Sequence, residues 1–348
     1  MKTRITELLG IKHPIVLAGM SGISLPELVA TVCNAGGLGI LAIAPYTPEE
    51  ARRLIRRTKE LTDKPFGINQ ILISPRAKAA FDVVIEEKVP IVNYSLGRPW
   101  FIEQVHEYGG KVIGTVALVR HAIRAEQFGV DAIIITGHEA AAHGARATSM
   151  VLIPLVASSV KVPIIAAGGF YDGRGMAAAL ALGADAISLG TRFAMTQESI
   201  LNENWKQKIL KASEQDTVYL DHHDIPSRVF RTKRAEAEMK GGFPVIGAVA
   251  GVMETKRMLD MSWWELIRSG WRTRKAEEGM GALEQIRYAA STARSKKVMV
   301  EGDEAAGNLA MGQIIGGITD IPTVTEVIDR IIAEAEVTLE KMKKQIAP

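Results

Sequence analysis

The sequence has very little cysteine, few aromatic residues and almost no excess of charge. Cys33 is the single cysteine among 348 residues, which excludes an internal disulfide framework and a thiolate cluster for zinc or iron–sulfur ligation. A lone thiol also favours a reducing, cytoplasmic location. The net charge is only +3, which is too weak to indicate binding to nucleic acid or to a membrane surface. We therefore expect a small molecule as the partner.

Long hydrophobic runs are missing as well. Gly, Asp or Lys interrupts every apolar stretch well before the roughly 18 residues that a membrane helix needs. The N-terminal Met1–Arg4 leads into a short mixed segment, which does not resemble a secretory signal peptide. We expect neither a signal peptide nor a membrane span.

Apolar residues and glycine are plentiful. Apolar residues make up 47% of the chain, which suffices for a large core, whereas aromatic residues make up 5%. The length is about twice a typical domain of roughly 150 residues, but barrels of alternating strands and helices reach about 250 residues as one domain. The length thus favours one large domain with an appendage, and the 32 glycines suit loops that bind phosphate.

Up to residue 192 the chain repeats a short β-branched apolar run, a turn and an amphipathic stretch. The runs are Pro14–Ala18, Leu38–Ala42, Phe66–Leu72, Ile91–Tyr94, Lys111–Val116, Ala132–Thr136, Pro163–Ala167 and Ala186–Leu189. Eight such runs match the strand number of a closed parallel barrel. The chain lacks an early G-x-G-x-x-G after its first strand, which disfavours a doubly wound open sheet. We predict an α/β (β/α)8 TIM barrel.

The alternation stops after Arg192. Residues 193–305 contain four of the five tryptophans and show helical spacing without clear strands, so we predict a mostly helical cap beside the barrel mouth. The tail, Ile321–Lys344, places apolar residues on one face, which predicts an amphipathic helix packed on the barrel. The expected barrel domain therefore combines residues 1–192 and 306–348.

Two consecutive predicted strands end in glycine. Gly168 and Gly169 follow the seventh run, and Gly190 with Thr191 follows the eighth. In barrels of this type these two loops commonly hold a phosphate through backbone N–H groups. Simple tight turns would explain either motif alone, but the pair favours a phosphate site.

The loop after the sixth run carries two histidines and a carboxylate. His138, Glu139 and His143 lie within eight residues after Thr136. The spacing of the histidines differs from the i, i+4 pairing of helical zinc sites, and no third ligand is near. A base with its orienting partner and a solvated turn remain alternatives. A histidine at a strand mouth suits proton transfer near neutral pH.

These motifs together resemble the nitronate monooxygenase (2-nitropropane dioxygenase-like) family of FMN-dependent barrels. The family includes flavin-type enoyl-acyl-carrier-protein reductases and NADH:quinone reductases. The resemblance rests on Pro14–Met20, Asn34–Gly39, Phe66–Asn69, Gly137–His143, Ala166–Gly169, Gly190–Phe193 and Gly312-Gln313. It covers nearly the whole chain and is specific for fold and cofactor, and much less so for substrate.

The resemblance implies a role for each matching residue. His143 matches the catalytic histidine, which removes the substrate α-proton or steadies the nitro group. Glu139 would orient the loop or accept a ribityl hydrogen bond. The residues implied to bind FMN are Gly19, Met20 and Ser21 at the ring edge, Asn69 at its polar rim, Thr115 under the ring, Gly137 and Glu139 in the loop, and Gly168, Gly169, Phe170, Gly190 and Thr191 at the phosphate.

The resemblance leaves several reactions open. The leading hypothesis is oxidation of alkyl nitronates with oxygen to a carbonyl compound and nitrite. The alternative is an NAD(P)H-dependent FMN reductase of enoyl thioesters or quinones. A non-redox phosphate-binding barrel, such as an isomerase, is a remote alternative, since no lysine ends the sixth or seventh run. The sequence leaves a homodimer open.

One departure from the family pattern concerns the histidine loop. Relatives often carry two glycines before the histidine, where this chain has Ala141-Ala142. Alanine adopts positive φ only at a cost, so the loop path and the position of His143 become less secure.

The remaining candidates are more simply structural. Cys33 lies in an apolar helix and is expected in the core. Asp172 suits a helix N-cap, with Arg174 as an additional phosphate contact. His222-His223 are expected in a solvated loop, and the basic run Arg52–Arg57 on a solvated helix face.

Overall fold

Eight parallel strands form a closed barrel in this protein. The computed structural model describes residues 1–74, 76–141, 144–221, 226–240 and 297–346. The strands are β1 (Ile15–Leu17), β2 (Leu38–Ala42), β3 (Gly67–Ile71), β4 (Ile91–Ser95), β5 (Lys111–Val116), β6 (Ala132–Thr136), β7 (Ile164–Ala167) and β8 (Ala186–Leu189). Each strand pairs with the next in parallel, and β1 pairs with β8 to close the barrel. The predicted TIM barrel is confirmed, with each strand end within one residue of the expected position.

Helices alternate with the strands and cover the barrel. They are α1 (Arg4–Leu9), α2 (Pro26–Asn34), α3 (Pro48–Leu61), α4 (Ala77–Glu86), α5 (Ile102–Glu107), α6 (Val119–Gln127), α7 (Ser149–Ala157) and α8 (Gly173–Ala181). α3 begins with a capping box: the Thr47 hydroxyl accepts from Glu50 N, and the Glu50 carboxylate accepts from Thr47 N. This capping box pairs backbone donors that would otherwise lack partners.

The barrel interior is apolar at its amino end and polar at its carboxyl end. Ile5, Leu9 and Ile11 from the N-terminal helix region pack with the inward residues of the lower strands, so α1 plugs the amino end. Side chains alternate along a strand, which places Asn93 inward above Ile91. Asn69 is its partner on β3. The inward positions near the carboxyl ends are thus polar, and they form the floor of the candidate site.

The segment after β8 contains strands as well as helices. Its described elements are α9 (Thr191–Ala194), α10 (Glu203–Ile209), β9 (Thr217–Leu220), β10 (Ser227–Phe230), α11 (Lys233–Met239), a π-helical turn (Lys297–Glu301) and a 3-10 turn (Gln313–Gly317). The expectation of no clear strands here is wrong, because β9 and β10 pair as an antiparallel hairpin. Its buried side chains Val218, Leu220 and Val229 form a small core of their own.

The segment packs directly against the barrel. The Trp205 indole N–H donates to Val298 O over 2.7 Å, and Trp205 belongs to the same hydrophobic cluster as the outer faces of the strands. The other tryptophans of the predicted cap, Trp263, Trp264 and Trp271, lie outside the described residues. The division into a barrel domain and a cap of residues 193–305 stays a prediction.

The final helix, α12 (Val324–Ile346), packs on α8 as expected for the amphipathic tail. A Cβ at Gly173 would overlap the backbone at Ile331 and Ala335. Glycine at this position therefore lets the two helices approach closely.

Several side chains proposed as structural have that role. Cys33 is buried, and burial raises the pKa of its thiol to about 12. Asp172 accepts from Gly175 N over 2.8 Å as the N-cap of α8, and Arg174 pairs with Asp172 and Glu334. His222-His223 lie outside the described residues.

Two classes of feature are absent from the described part of the chain. No three His, Cys, Asp or Glu residues come together there as metal ligands. None of the helices there combines the length and the hydropathy that a membrane span needs.

Three cations on the basic face of α3 share one carboxylate. Glu87 accepts hydrogen bonds from Arg52, Arg56 and Lys59. Burial raises the pKa of Glu87, but the hydrogen bonds from Lys59, Arg56 and Arg52 outweigh it, so the pKa lies below its ordinary value. The ionised carboxylate therefore stabilises the fold above a pH of about 4.5, and this contribution is lost as the pH falls through the folded-state pKa.

We expect Glu87→Gln to lower the free energy of unfolding at pH 7 by about 1 kcal/mol, a value reduced by solvent screening. The difference from the parent protein should shrink as the pH falls below about 4. Urea unfolding across this pH range measures it, with Glu60→Gln, on the exposed pair with Arg57, as the control. Equal effects of the two substitutions at pH 7 would contradict the role of Glu87.

Candidate active site

The loop after β7 brings two glycines into a conformation that other residues adopt at a cost. Gly168 has φ +97° and Gly169 has φ +85°, in the left-handed region that favours glycine. A Cβ at Gly168 would lie 3.1 Å from Ala140 Cβ and from Gly137 O. The loop therefore requires glycine both for its dihedral angles and for its contact with the loop that follows β6, called the β6 loop.

The loops after β7 and β8 leave backbone donors unused. No described residue accepts a hydrogen bond from Gly169 N or Gly190 N. Ala167 and Ser188 are neighbours across β7 and β8, so the two loops start side by side. N–H groups at glycine positions that have no acceptor among the described residues can hold an anionic oxygen, and the phosphate site itself stays a prediction.

The turn before α12 connects these loops. The Thr191 hydroxyl accepts from Gly312 N over 3.0 Å, and Glu139 O accepts from Gln313 N over 2.9 Å. Glu139 also lies about 3.6 Å from a Cβ built at Gly169. The sequence motif Gly312-Gln313 therefore joins the β6 and β8 loops, a role that its residue types did not reveal.

The Glu139 carboxylate orients the β6 loop. Both of its oxygens accept from Ser149 N, over 3.1 and 2.9 Å. The Ser149 hydroxyl lies 3.0 Å from the Glu139 carboxylate and 2.7 Å from Gly168 O, so it links the β6 and β7 loops. A carboxylate at the start of α7 is also favoured by the helix dipole. Of its two expected roles, the structure supports orientation of the loop.

Gly137 is required by the same network. Its N–H donates to Ala167 O over 2.9 Å, and a Cβ there would overlap the Ser149 hydroxyl. Sequence reasoning missed Ser149, since a serine at the start of a helix is common and its partners come from two other loops.

The loop after β1 contacts both β3 and the β8 loop. Asn69 Nδ2 donates to Gly19 O over 3.4 Å, and a Cβ at Gly19 would overlap Asn69. Met20 places its sulfur 3.4 Å from a Cβ built at Gly190, while Ser21 follows in the turn and is half-buried. The structure thus brings the predicted β1, β3 and β8 residues together.

A row of polar side chains crosses the strand ends. Asn93 Nδ2 donates to Thr115 Oγ1 over 2.8 Å and to Ile113 O over 3.1 Å. Asn69 Oδ1 is buried and has no hydrogen-bond partner among the described residues. A buried acceptor without a partner costs free energy, so this atom is suited to accept from a bound ligand. Asn93 was not predicted, because its function depends on its neighbours Asn69 and Thr115 in the sheet.

Phe170 completes the described set. It is buried under the β7 loop, and its ring lies 3.3 Å from a Cβ built at Gly175. The Phe170 ring therefore packs between the β7 loop and α8, directly after Gly168 and Gly169 in the chain.

His143 and Ala142 lie outside the described residues, so the position of the predicted catalytic side chain stays a prediction. The flanking residues are described. Among the described non-glycine residues, positive φ occurs at Lys88 and Leu96 alone. Ala141, which replaces a glycine of the family pattern, therefore has negative φ and no backbone strain of this kind. His138 Nδ1 lies 3.0 Å from Ala145 O, which gives this histidine a structural contact within its own loop.

Comparisons with known proteins identify the family of this chain. The chain matches the family model described as nitronate monooxygenase over residues 2–83 and 73–334. It is 38% identical over 343 residues to a (3aS,4S,5R,7aS)-5-hydroxy-7a-methyl-1-oxo-octahydro-1H-indene-4-carboxyl-CoA dehydrogenase of Rhodococcus jostii, with 96% of each chain covered. A probable nitronate monooxygenase of Staphylococcus saprophyticus is 34% identical over 266 residues, which cover 63% of this chain and 75% of that one.

Solved structures show the same fold. FabK of Thermotoga maritima superposes with a TM-score of 0.81 at 38% sequence identity, covering 99% of this chain and 100% of FabK. A nitroalkane oxidase of Streptomyces ansochromogenes, at 24% identity and a TM-score of 0.76, shares the fold. The chain is therefore an oxidoreductase that belongs to the nitronate monooxygenase family.

Proposed function

We propose that the protein is an FMN-dependent oxidoreductase that acts on an acyl thioester, at the two carbons next to the thioester carbonyl. The observation that carries this proposal is the extent of the similarity. The carboxyl-CoA dehydrogenase and FabK match over 96% and 99% of this chain, and FabK is a flavin enoyl-ACP reductase. The nitronate monooxygenases match over 63%.

The residues at the strand ends fit FMN. The N–H groups of Gly169 and Gly190, which have no acceptor among the described residues, suit the phosphate, and a Cβ at Gly168 would be tightly packed at 3.1 Å from Ala140 and Gly137. The unpartnered Asn69 Oδ1 suits an N–H of a polar ring edge. Gly19 contacts Asn69, Met20 lies beside Gly190, and Thr115 bonds to Asn93 on the strand next to Asn69. These contacts support binding of the ring at this end of the barrel.

In the proposed mechanism, one residue transfers a proton and three others position the loop that carries it. When bound, FMN supplies the two-electron redox chemistry. His143 takes the proton from the carbon next to the thioester carbonyl, or returns it in the opposite direction, because an imidazole titrates near neutral pH. Glu139, Ser149 and Gly137 hold the loop that carries this histidine.

Oxidation of alkyl nitronates is the second candidate. The matching family model carries that name, and relatives named for this activity are 31–34% identical. The same proton transfer applies, since a nitro group also acidifies the adjacent carbon. Use of NAD(P)H, reduction of quinones, a homodimer, a cytoplasmic location and the cap of residues 193–305 stay predictions.

The glycine requirement gives a test of FMN binding. We expect Gly168→Ala to weaken FMN binding by about tenfold or more, the effect of about 1.4 kcal/mol, because the added Cβ enters the contact with Ala140 and Gly137. Fluorescence titration of the apoprotein with FMN measures the affinity.

Gly109→Ala is the matched control. Gly109 also has positive φ, +84°, but a Cβ there meets no atom within 4 Å. It should lose a similar amount of stability and keep its affinity for FMN. A parent protein that is colourless and does not take up FMN would instead support a non-redox barrel.

The substrate class can be separated by mixing the FMN-loaded protein anaerobically with one reductant at a time. We expect a saturated acyl-CoA or NAD(P)H to bleach the flavin absorbance, and an enoyl-CoA to restore it. Bleaching by an alkyl nitronate alone would support the second candidate and contradict the first. The stopped-flow rate constants rank the substrates within each class.

The proton-transfer role predicts a separate outcome. His143→Ala should retain FMN and lose about 10²- to 10⁴-fold in kcat with the best substrate. His106→Ala is the control, because His106 pairs with Asp131 away from the candidate site. Unchanged turnover in His143→Ala would remove this residue from the mechanism.

A further inference from the structure

The hairpin β9–β10 reaches back to the loop after β6. Tyr219 on β9 and Arg228 on β10 are direct partners across the hairpin. Both side chains contact the same loop, which runs from His138 to Gly144 and is called the β6 loop below. Neither residue was a candidate in the sequence, since the contact joins parts of the chain about 75 and 90 residues apart.

Each of the two side chains holds one end of the β6 loop. The Tyr219 hydroxyl donates to Gly144 O over 2.7 Å, and Arg228 Nε donates to His138 O over 3.1 Å. The Tyr219 ring also lies 4.4 Å from the His138 ring, measured between centroids. One pair of residues on the hairpin therefore contacts the loop at both of its described ends.

Arg228 is a buried cation that contacts the β6 loop and both strands of the hairpin. Its exposed fraction is 3%, its Nη1 donates to Thr217 Oγ1 over 3.1 Å, and its guanidinium lies 5.5 Å from the centroid of the Tyr219 ring. Burial lowers the pKa of Arg228, while Tyr219 and the negative charge of Glu139 raise it. Burying a cation is costly unless it is paired, so its position beside the β6 loop points to a specific role.

Tyr219 keeps its proton at neutral pH. Burial raises the pKa of its phenol, so the hydroxyl stays a donor to Gly144 O. Gly144 directly follows His143 in the chain. The hydrogen bond therefore fixes the carbonyl of the residue that directly follows the one that the proposed mechanism uses.

We propose that Tyr219 and Arg228 are positioning residues that set the β6 loop, and with it His143, relative to the strand ends. This inference rests on the proposed role of His143 in proton transfer. Through these two residues, the segment after β8 influences proton transfer by holding the β6 loop in place.

The test compares two tyrosine-to-phenylalanine substitutions in the FMN-loaded protein. Tyr219→Phe removes the bond to Gly144 O and keeps the ring contact with His138. Tyr108→Phe is the matched control, because the Tyr108 hydroxyl also donates to a backbone carbonyl, Val89 O, over 2.9 Å, but far from the strand carboxyl ends. Both should lose a similar amount in Tm.

We expect Tyr219→Phe to lower kcat by about 10- to 100-fold, with KM and the FMN affinity changed less than about twofold. Tyr108→Phe should leave all three unchanged. Arg228→Lys, which keeps the charge and loses the fork of donors, should lower kcat in the same way. Its control is Arg231→Lys, at the exposed end of the hairpin, where Arg231 donates to Gln215 O.

Hydrogen–deuterium exchange gives a readout that does not depend on turnover. The amides of His138 and Ala140 donate within this region, to Ala147 O and Gly137 O. In Tyr219→Phe we expect the peptide covering 137–148 to exchange about fivefold faster, and in Tyr108→Phe to exchange as in the parent.

The outcomes separate this inference from the proposed function. If His143→Ala loses turnover while Tyr219→Phe matches Tyr108→Phe in kcat and in exchange, the positioning role is overturned and the proposed function stands. If exchange in 137–148 rises but His143→Ala turns over normally, the hairpin fixes the loop and the proposed proton transfer is overturned. Joint loss of kcat in both variants with faster exchange supports both.

Discussion

The site depends on the contact between the Glu139 carboxylate and Ser149 at the start of α7. Glu139 accepts from Ser149 N, and the Ser149 hydroxyl lies within hydrogen-bond distance of both Glu139 and Gly168 O. Gly137 lacks a side chain because a Cβ would occupy the space of this hydroxyl. The loops after β6 and β7 are thus fixed to each other before any ligand binds, which lowers the entropy cost of binding.

Further contacts connect the other loops at this end of the barrel. Thr191 and Glu139 hold Gly312 and Gln313, so the turn before α12 spans the β6 and β8 loops. Asn69 connects β3 to the loop after β1 through Gly19 O. Groups from six parts of the chain therefore meet at one end of the barrel, as expected when catalytic residues come from the ends of several strands.

The sequence predicted the barrel closely because each strand is a short apolar run bounded by turn residues. It predicted the tail helix from its apolar stripe. The glycines after β7 and β8 were predicted to bind phosphate from their place in the chain, and this role stays a prediction; Gly168 and Gly169 have the positive φ that favours glycine.

The missed features all depend on neighbours that are distant in sequence. The hairpin was missed because its strands have four residues each and carry polar side chains. The alternation of Val218 and Leu220 is the one local signal that favoured a strand. Ser149 and Asn93 are ordinary residues until the fold places Gly168 O and Thr115 beside them.

The N-terminal helix determines from which end of the barrel a ligand can enter. Ile5, Leu9 and Ile11 close the amino end of the barrel with apolar side chains, while the polar side chains of the interior lie at the opposite end. Within the part of the chain that the structure describes, the amino end is therefore closed to a ligand, and a ligand approaches the strand ends from the carboxyl side. Two reactants that need the same face of the site therefore bind one after the other.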